Sequence, residues 1–262
     1  MPLTHRSRAA FAAEVARSAG ALANRYFHGE IAFAVEEKDG PQDFVSAADR
    51  VVEAHIRTAL ANAFPDDSML GEEGGGAVDN RVWVVDPIDG TLNFVHGMRY
   101  RCVSLCYIED GVRTVGATYD PSLDELFLAE RGRGATLNGK PIRGSNCASI
   151  AQALIAQGYV HRHALDAHLA VRRAMLSSGA AVKDPGAGAL MLAHVAAGRF
   201  DAFYEPHMHP WDASAGLLLV EEAGGKVLSY PGRNALAEGG PVLASAPAIF
   251  GVLEALVREG GT

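Results

Sequence analysis

The feature that most restricts how this chain can fold is a short apolar run that ends in two carboxylates. Residues 82–94 read VWVVDPIDGTLNF, and the first four of them have the length and composition of a buried β-strand. Pro87 has no N–H for a strand ladder, so we expect the strand to end there. Gly90 permits a tight turn, and Thr91 and Asn93 are residue types that satisfy free amides at a helix start.

Two aspartates would therefore stand at the carboxyl end of a strand, facing the free amides of a turn or a helix start. Hard divalent cations prefer carboxylate oxygens, and a phosphate oxygen is attracted both to such a cation and to free amides. The spacing of Asp86 and Asp89 thus predicts a site for a metal and a phosphate ester together. Asp-Pro and Asp-Gly are also common turn formers, so an ordinary loop is the alternative on spacing alone.

Longer segments around these aspartates resemble a known family. Residues 83–97, WVVDPIDGTLNFVHG, are similar to the first signature of the inositol monophosphatases. Residues 211–216, WDASAG, followed by EEAGG at residues 221–225, resemble the second signature. Residues 43–49 and 71–74 resemble two further family segments, in the family's order. The resemblance therefore covers nearly the whole chain.

The resemblance implies a layered α-β-α-β-α sandwich of the sugar-phosphatase type, on the border of the α+β and α/β classes. The residue pattern agrees, because it predicts amphipathic helices over residues 5–27 and from Ser46, then an antiparallel meander, then alternating strands and helices from Ser149. We predict an N-terminal α+β part, residues 1–147, with the antiparallel sheet and the main metal motif. A C-terminal α/β part, residues 148–262, would complete the active site.

The resemblance also implies a metal-ligand set. One cation would be held by Glu72, Asp86 and the backbone carbonyl of Ile88, and a second by Asp86, Asp89 and Asp212. Oxygen-only ligands select Mg²⁺, with Mn²⁺ as an alternative, over Zn²⁺, and we expect two or three ions per site. From the residues alone, Glu72 fits a solvated glycine-rich loop and Asp212 fits a helix N-cap. An N-cap points its carboxylate at whatever precedes the helix, so the two interpretations of Asp212 are compatible.

Catalytic roles follow from the same resemblance. Glu72 matches the family's metal-bridging glutamate, and Thr91, helped by Asp49, would orient the attacking water. The amides of Gly90 and Thr91 would take up phosphate charge. One metal would generate the hydroxide and the other would stabilise the leaving alkoxide, without a phosphoenzyme, and Li⁺ would inhibit. From the residues alone, Asp49 fits the acid of a capping box that begins at Ser46.

The residues expected on the alcohol side of the substrate are less typical of the family. Glu205 matches a residue that contacts substrate hydroxyls, and an exposed acid at a strand end is the alternative. Ala187 and Gly188 replace a hydroxyl residue and an alanine that many members carry, and the preceding Asp184-Pro185 pair is atypical too. The substrate-binding set would comprise Gly90, Thr91, Gly188, Glu205 and Asp212. Lys38 falls on a basic residue of the family's mobile loop, and His207 and His209 are expected in substrate contact or packing.

Charge and cysteine content exclude several classes of protein. The net charge of −8 comes without an evident Lys/Arg stripe, so nucleic acid is not an expected partner. No apolar stretch reaches the ~20 residues of a membrane span, and the N-terminus is predicted to be a helix and not a signal peptide. Three cysteines suit a reducing compartment, so we expect a cytoplasmic protein. Cys102 and Cys106 lie in an apolar strand-like run, which predicts buried thiols.

These observations predict a Mg²⁺-dependent phosphate monoester hydrolase of the inositol-1-monophosphatase type. Its partner would be a small phosphorylated polyol or amino alcohol, and a homodimer is expected from the resemblance. Histidinol phosphate is the alternative substrate, because family members with the same signatures hydrolyse it. An alternative of another class is a non-catalytic regulator that binds metal or phosphate.

Overall fold

The computed structural model describes residues 7–32, 34–37, 44–159, 164–229 and 235–260. The first part of the chain, through the last strand of the larger sheet, contains in order α1 (Arg8–Phe27), β1 (Val35–Glu37), β2 (Phe44–Ser46), α2 (Ala47–Ala63), β3 (Ser68–Gly71), β4 (Arg81–Asp89), α3 (Thr91–Val95), β5 (Cys102–Glu109), β6 (Val112–Asp120), β7 (Glu125–Glu130), β8 (Gly134–Leu137) and β9 (Lys140–Pro141).

The second part of the chain alternates strands and helices, as its sequence predicts. After a 3₁₀ turn (Ile150–Gln152) it contains β10 (Leu154–Gln157), α4 (Leu165–Ser177), β11 (Ala181–Lys183), α5 (Gly188–Ala196), β12 (Ala202–Met208), α6 (Pro210–Glu222), β13 (Lys226–Val227), α7 (Ala235–Glu238), β14 (Gly240–Ser245) and α8 (Phe250–Gly260). Among the helices of the described residues, none is both long enough and apolar enough to traverse a bilayer.

A seven-stranded sheet forms the larger of the two main β layers. Its strand order is β3-β4-β5-β6-β7-β8-β9, with β3 and β4 parallel and all other neighbours antiparallel. Helices α1 and α2 bury their apolar stripes against one face, where Phe11 and Ile56 meet Trp83 and Leu105 in one cluster. Helix α6, with α5 beside it, covers the opposite face. The sheet is therefore buried on both sides.

A five-stranded sheet with the order β11-β10-β12-β14-β13 forms the second β layer. Helices α5 and α6 lie between the two sheets, and α4 and α8 cover the outer face of the smaller one. The layers thus follow the order α-β-α-β-α, and the predicted sandwich is confirmed. The division into parts 1–147 and 148–262 stays a prediction, although the large sheet ends at Pro141 and the small one begins at Leu154.

Strand β4 departs from the sequence prediction in a way that shapes the site. It does not end at Pro87 but runs on to Asp89. The pairing with β5 shifts register between Asp86 and Asp89, so Pro87 lies in an irregular segment where no ladder amide is required. The prediction was wrong because the bulge accommodates a proline that a regular ladder would exclude.

The two helices between the sheets approach each other closely at Gly216 of α6. A Cβ atom added there would lie 2.4 Å from Cβ of Leu192 in α5. We expect Gly216→Ala to lower the free energy of unfolding by about 1–3 kcal/mol, because overpacking forces neighbouring backbone apart. Urea denaturation measures this change as a lower midpoint. Gly251→Ala in α8 is the matched control, since nothing lies within 4 Å of its added Cβ. Equal midpoints for the two variants would contradict the close packing.

Candidate active site

The carboxyl ends of β3 and β4 bring the first two acidic groups together. The strands pair in parallel with Gly71 opposite Val85, and the amide of Glu72 donates to the carbonyl of Val85 at 3.1 Å. Glu72 therefore leaves β3 at the level where Asp86 continues β4. The parallel pairing thus brings the Glu72 segment to the aspartate pair, as the ligand set implied by the resemblance requires.

Three aspartates form the centre of the site. Asp86, Asp89 and Asp212 each place a carboxylate oxygen within 4.8 Å of those of the other two. Asp86 is held locally, because its Oδ1 accepts a hydrogen bond of 2.9 Å from the amide of Ile88. The first two aspartates come from the irregular end of β4, and the third comes from α6, which lies between the sheets. The site is therefore an assembly of distant segments.

Asp212 does not occupy the predicted N-cap position. Helix α6 begins at Pro210, so Asp212 is the third helical residue and His209 is the N-cap. The Asp212 carboxylate reaches back to accept from the amide of His209 at 3.2 Å. Proline is favoured at the first position of a helix, where its missing N–H is not needed, and the N-cap therefore lies three residues earlier than predicted.

Asp89 lies at the N-terminal end of α5, a position that no local sequence pattern indicates. Its Oδ2 accepts from the amide of Leu190 at 3.1 Å and from the thiol of Cys102 at 3.4 Å. Burial raises the pKa of Cys102 well above its ordinary value, so the thiol stays protonated and can donate. The prediction of Cys102 as a buried thiol is confirmed, but its contact with Asp89 was missed. The contact follows from the pairing of these two residues across β4 and β5.

Thr91 and Asp49 meet as the resemblance implies. The hydroxyl of Thr91 lies 3.2 Å from Oδ1 of Asp49 and 3.1 Å from the carbonyl oxygen of Ile88. Asp49 is fully buried in the first turn of α2. Gly90 precedes Thr91 with a φ of 90°, a left-handed conformation that favours glycine, and an added Cβ would lie 3.0 Å from Ala187. The tight turn predicted at Gly90 is therefore confirmed.

Asn93 has a different role from the one predicted. Instead of satisfying amides at the start of α3, its side-chain amide donates to the carbonyls of Tyr100 at 2.7 Å and of Pro185 at 2.8 Å. Gly90, which has no side chain, is the residue at the helix start, and Thr91 is the first helical residue. Asn93 thus links α3, which follows the aspartate pair, to the segment before α5. A link between segments so far apart in sequence depends on tertiary contacts and could not be predicted from local sequence.

A cavity of about 360 Å³ opens beside the aspartates. None of the described residues that line it is Lys, Arg or His, whereas six are acidic: Glu72, Asp86, Asp89, Asp184, Glu205 and Asp212. Glu205 lies against glycine backbone, since an added Cβ on Gly158 would be only 2.0 Å from its Oε2. Gly188 lines the cavity as well. Apart from Asp49, whose carboxylate contacts Thr91, every residue of the predicted metal, catalytic and substrate-binding sets therefore lines one cavity.

Six ionised carboxylates in one cavity are electrostatically unfavourable. Burial raises the pKa of Asp86 well above its ordinary value, and repulsion from neighbouring carboxylates, chiefly Glu72, raises it further. The pKa of Asp212 is raised well above its ordinary value by the same two causes. Burial raises the pKa of Asp89 to about 6, against the hydrogen bonds that it accepts. Burial also raises the pKa of Glu205 well above its ordinary value. The acids therefore need protons or cations to share this space.

The donor set fits a hard divalent cation. Three carboxylates within 4.8 Å of one another, joined by Glu72 in the same cavity, supply only oxygen ligands. The carbonyl of Ile88 accepts from Thr91 beside them. Buried charges that lack partners are costly, and bound cations would supply the compensation that no basic residue of the described lining provides. The residues present are thus suited to Mg²⁺ or Mn²⁺.

Two histidines that the sequence placed in substrate contact or packing do not line the cavity. Lys38, expected in a mobile loop of the site, falls outside the described residues. His209 stacks on Trp211 with ring centroids 4.7 Å apart, and His207 meets His209 edge-on at 5.1 Å. Neither imidazole lines the cavity. Of the two roles predicted for these histidines, packing is the one that the structure shows.

Comparisons with known proteins identify relatives of this chain in sequence and in structure. The chain matches the inositol monophosphatase family over residues 5–260. It is 39% identical over 251 residues to the Nus factor SuhB of Pseudomonas aeruginosa, covering 92% of each chain. It is also 39% identical over 202 residues to a fructose-1,6-bisphosphatase/inositol-1-monophosphatase of Thermotoga maritima, covering 77% of each. The crystal structure of the extragenic suppressor protein suhB from Bartonella henselae superposes with a TM-score of 0.89 at 34% identity, covering 95% of this chain and 98% of that one.

Proposed function

This chain belongs to the inositol monophosphatase family, and on that premise we propose that it is a Mg²⁺-dependent phosphate monoester hydrolase of the inositol-1-monophosphatase type. The observation that carries the proposal is the cavity in which Asp86, Asp89 and Asp212 converge without any basic residue in the described lining. A phosphate ester is an anion, and this acidic cavity could accept one only together with cations. Cation binding and substrate binding are therefore coupled.

The side chains of the site have distinct roles in this proposal. Glu72, Asp86, the Ile88 carbonyl, Asp89 and Asp212 hold the cations. When bound, Mg²⁺ supplies Lewis acidity that activates water and neutralises charge on the leaving oxygen. The hydroxyl of Thr91 has one hydrogen, which it gives to Asp49 or to the Ile88 carbonyl, so its lone pairs are free to accept from a water in the cavity. Thr91 thus orients the water while Asp49 fixes the hydroxyl.

The opposite wall receives the alcohol part of the substrate. Gly188 and Glu205 line the cavity, as do Gly90 and Thr91, whose main-chain amides would bind the phosphate in this proposal. Ala187 also lines the cavity and is apolar at a position where the family resemblance implies a hydroxyl residue. The proposed substrate is therefore a small phosphorylated polyol whose hydroxyls reach Glu205.

The experiment that tests the proposal measures phosphate release by the purified protein. Inositol 1-phosphate, histidinol phosphate, fructose 1,6-bisphosphate and 3′-phosphoadenosine 5′-phosphate are each offered with Mg²⁺ and with EDTA. We expect a Mg²⁺-dependent rate that EDTA abolishes and that Li⁺ lowers, with inositol 1-phosphate preferred. The Mg²⁺ dependence of the melting temperature, recorded in parallel, reports cation binding without catalysis.

One outcome would replace the proposal with another class of function. If Mg²⁺ raises the melting temperature but no substrate is hydrolysed, the protein is a metal-binding regulator and not an enzyme. The name Nus factor, carried by the relative from Pseudomonas aeruginosa, gives this alternative its basis. Glu72 and Thr91 are both present in the cavity, which favours catalysis. The absence of a nucleic-acid partner, a cytoplasmic location and a homodimer stay predictions.

A second substrate, histidinol phosphate, is favoured by the acidic residues in the part of the cavity that would bind the alcohol group. Glu205 and Asp184 both line the cavity, and no described residue donates a hydrogen bond to the Glu205 carboxylate. Asp184 is partly balanced by Arg172 and His168, whose charges lower its pKa against the larger effect of burial. An ammonium group on the leaving alcohol would pair with Glu205, which a neutral polyol cannot do. A higher kcat/KM for histidinol phosphate than for inositol 1-phosphate would establish this substrate class.

A further inference from the structure

Helix α2 presents a row of polar side chains toward the site, although only its first member was predicted to have a role. Asp49, Glu53 and Arg57 are spaced four residues apart and therefore share one face of the helix. Asp49 reaches Thr91, as described above. The next two residues reach the turn that follows β3 and carries Glu72. One helix face thus contacts both segments that supply catalytic side chains.

Glu53 is bound to the backbone of this turn. It is only 3% exposed, and its carboxylate accepts from the amide of Glu73 at 2.7 Å and from the amide of Gly74 at 3.0 Å. The guanidinium of Arg57 donates to Glu53 at 2.7 Å and to the carbonyl of Gly75 at 3.0 Å. The ion pair therefore holds successive peptide groups of the turn from one side.

The glycines of this turn are explained by the same carboxylate. A Cβ added to Gly71 would lie 2.5 Å from Cδ of Glu53, and one added to Gly74 would lie 2.7 Å from its Oε1. Both distances are shorter than any ordinary contact, so larger residues would displace the turn or the glutamate. The glycine-rich sequence around Glu72 is therefore fitted to Glu53 and is not simply a flexible loop.

Glu72 is consequently fixed on both sides. Its own amide is bound to Val85 of β4, and the two amides after it are bound to Glu53 of α2. Neither Glu53 nor Arg57 lines the cavity, so neither contacts a substrate or a cation directly. Their effect on the site passes through the backbone that carries Glu72.

We infer that Glu53 and Arg57 are positioning residues that hold the turn after β3, so that the Glu72 carboxylate faces the aspartates and the site binds Mg²⁺ tightly. The inference rests on the proposed function, because it takes Glu72 to be a cation ligand. When a residue that orients a metal ligand is replaced, the affinity of the site for the metal typically falls by about 10- to 100-fold. A purely structural ion pair would change stability and leave the affinity for Mg²⁺ unaltered.

The test compares two glutamate variants by isothermal titration calorimetry with Mg²⁺. Glu53→Gln keeps the shape of the side chain but removes the charge that binds two amides and Arg57. Glu254→Gln is the matched control, since Glu254 and Arg258 form another ion pair four residues apart, in α8, with an Nη2–Oε1 distance of 2.6 Å. We expect Kd for Mg²⁺ to rise by about 10- to 100-fold in Glu53→Gln and by less than about twofold in the control. Hydrogen exchange at residues 72–75 should also become faster in Glu53→Gln alone.

A second variant covers the case in which Glu53→Gln does not fold. Arg57→Met leaves Glu53 in place and alters a side chain that is 39% exposed, so the helix is expected to persist, with a smaller rise in Kd. Unchanged Kd values in both folded variants, beside a wild type that binds Mg²⁺, would overturn the inference while leaving the proposed function intact. A wild type that binds no Mg²⁺ would instead overturn the proposed function, and the inference with it.

Discussion

Replacement of Asp89 by Asn is expected to lower the rate of phosphate release by at least about 10³-fold. The carboxylate lies within 4.8 Å of two other carboxylates, and Asn would provide a single neutral oxygen in its place. Stabilisation of charge by a bound cation contributes several kcal/mol to such reactions, and each 1.4 kcal/mol changes the rate about tenfold. The amide of Leu190 can still donate to the Asn carbonyl, so we expect the fold to persist. Steady-state kinetics at saturating Mg²⁺ measures the effect.

The matched control is Asp79→Asn, which makes the same substitution at an exposed loop position outside the cavity. This variant is expected to retain the wild-type rate, because surface substitutions of this kind change little. Circular dichroism and the melting temperature establish that both variants are folded. A folded Asp89→Asn protein with more than about a tenth of the wild-type rate would contradict the assignment of Asp89 as a cation ligand.

Loss of the Thr91 hydroxyl is expected to have the second-largest effect. Val has nearly the same shape as Thr but cannot accept a hydrogen bond from water or donate to Asp49. Positioned proton-accepting groups contribute about 10²- to 10⁴-fold to catalysis, so Thr91→Val should lower kcat by at least roughly 10²-fold. The cation ligands are unaltered, and the concentration of Mg²⁺ that gives half the maximal rate should therefore stay close to that of the wild type.

Thr91→Ser separates the hydroxyl from the methyl group. Serine keeps the oxygen that lies 3.2 Å from Asp49, and we expect its kcat to remain within about tenfold of the wild type. If the folded valine variant instead keeps more than about a tenth of the wild-type kcat, the hydroxyl is not needed for catalysis. The proposed orientation of water by Thr91 would then be wrong.

Local sequence was sufficient for features whose causes are local. The hairpin at Asn138-Gly139 was predictable, because an Asn-Gly pair favours a two-residue hairpin turn. Both residues adopt the positive φ that such a turn requires, 49° and 76°. The left-handed turn at Gly90 was predictable because glycine adopts a positive φ without a steric penalty. The helix starts and strand ends were less certain, since Pro87 lies in a bulge and α6 begins before Asp212. At those places tertiary packing overrides what a single residue type favours.

Residue types and short spacings along the chain were enough to predict the chemistry of the site. Two aspartates separated by two residues, followed by a glycine turn, bring oxygen ligands together through short-range geometry alone. The family signatures then identified the more distant members Glu72 and Asp212, but not how they arrive. Charge and composition also predicted that nucleic acid is not a partner, and this stays a prediction.

The way in which distant segments combine depends on tertiary packing. The parallel pairing of β3 with β4 places Glu72 beside Asp86, and the packing of α6 between the two sheets delivers Asp212. The contacts of Glu53 with the turn, and of Cys102 with Asp89, also join residues far apart in sequence. Such arrangements are fixed by the burial of whole apolar faces and by the satisfaction of backbone amides across elements. These forces act over the entire fold, and no local pattern of residues expresses them.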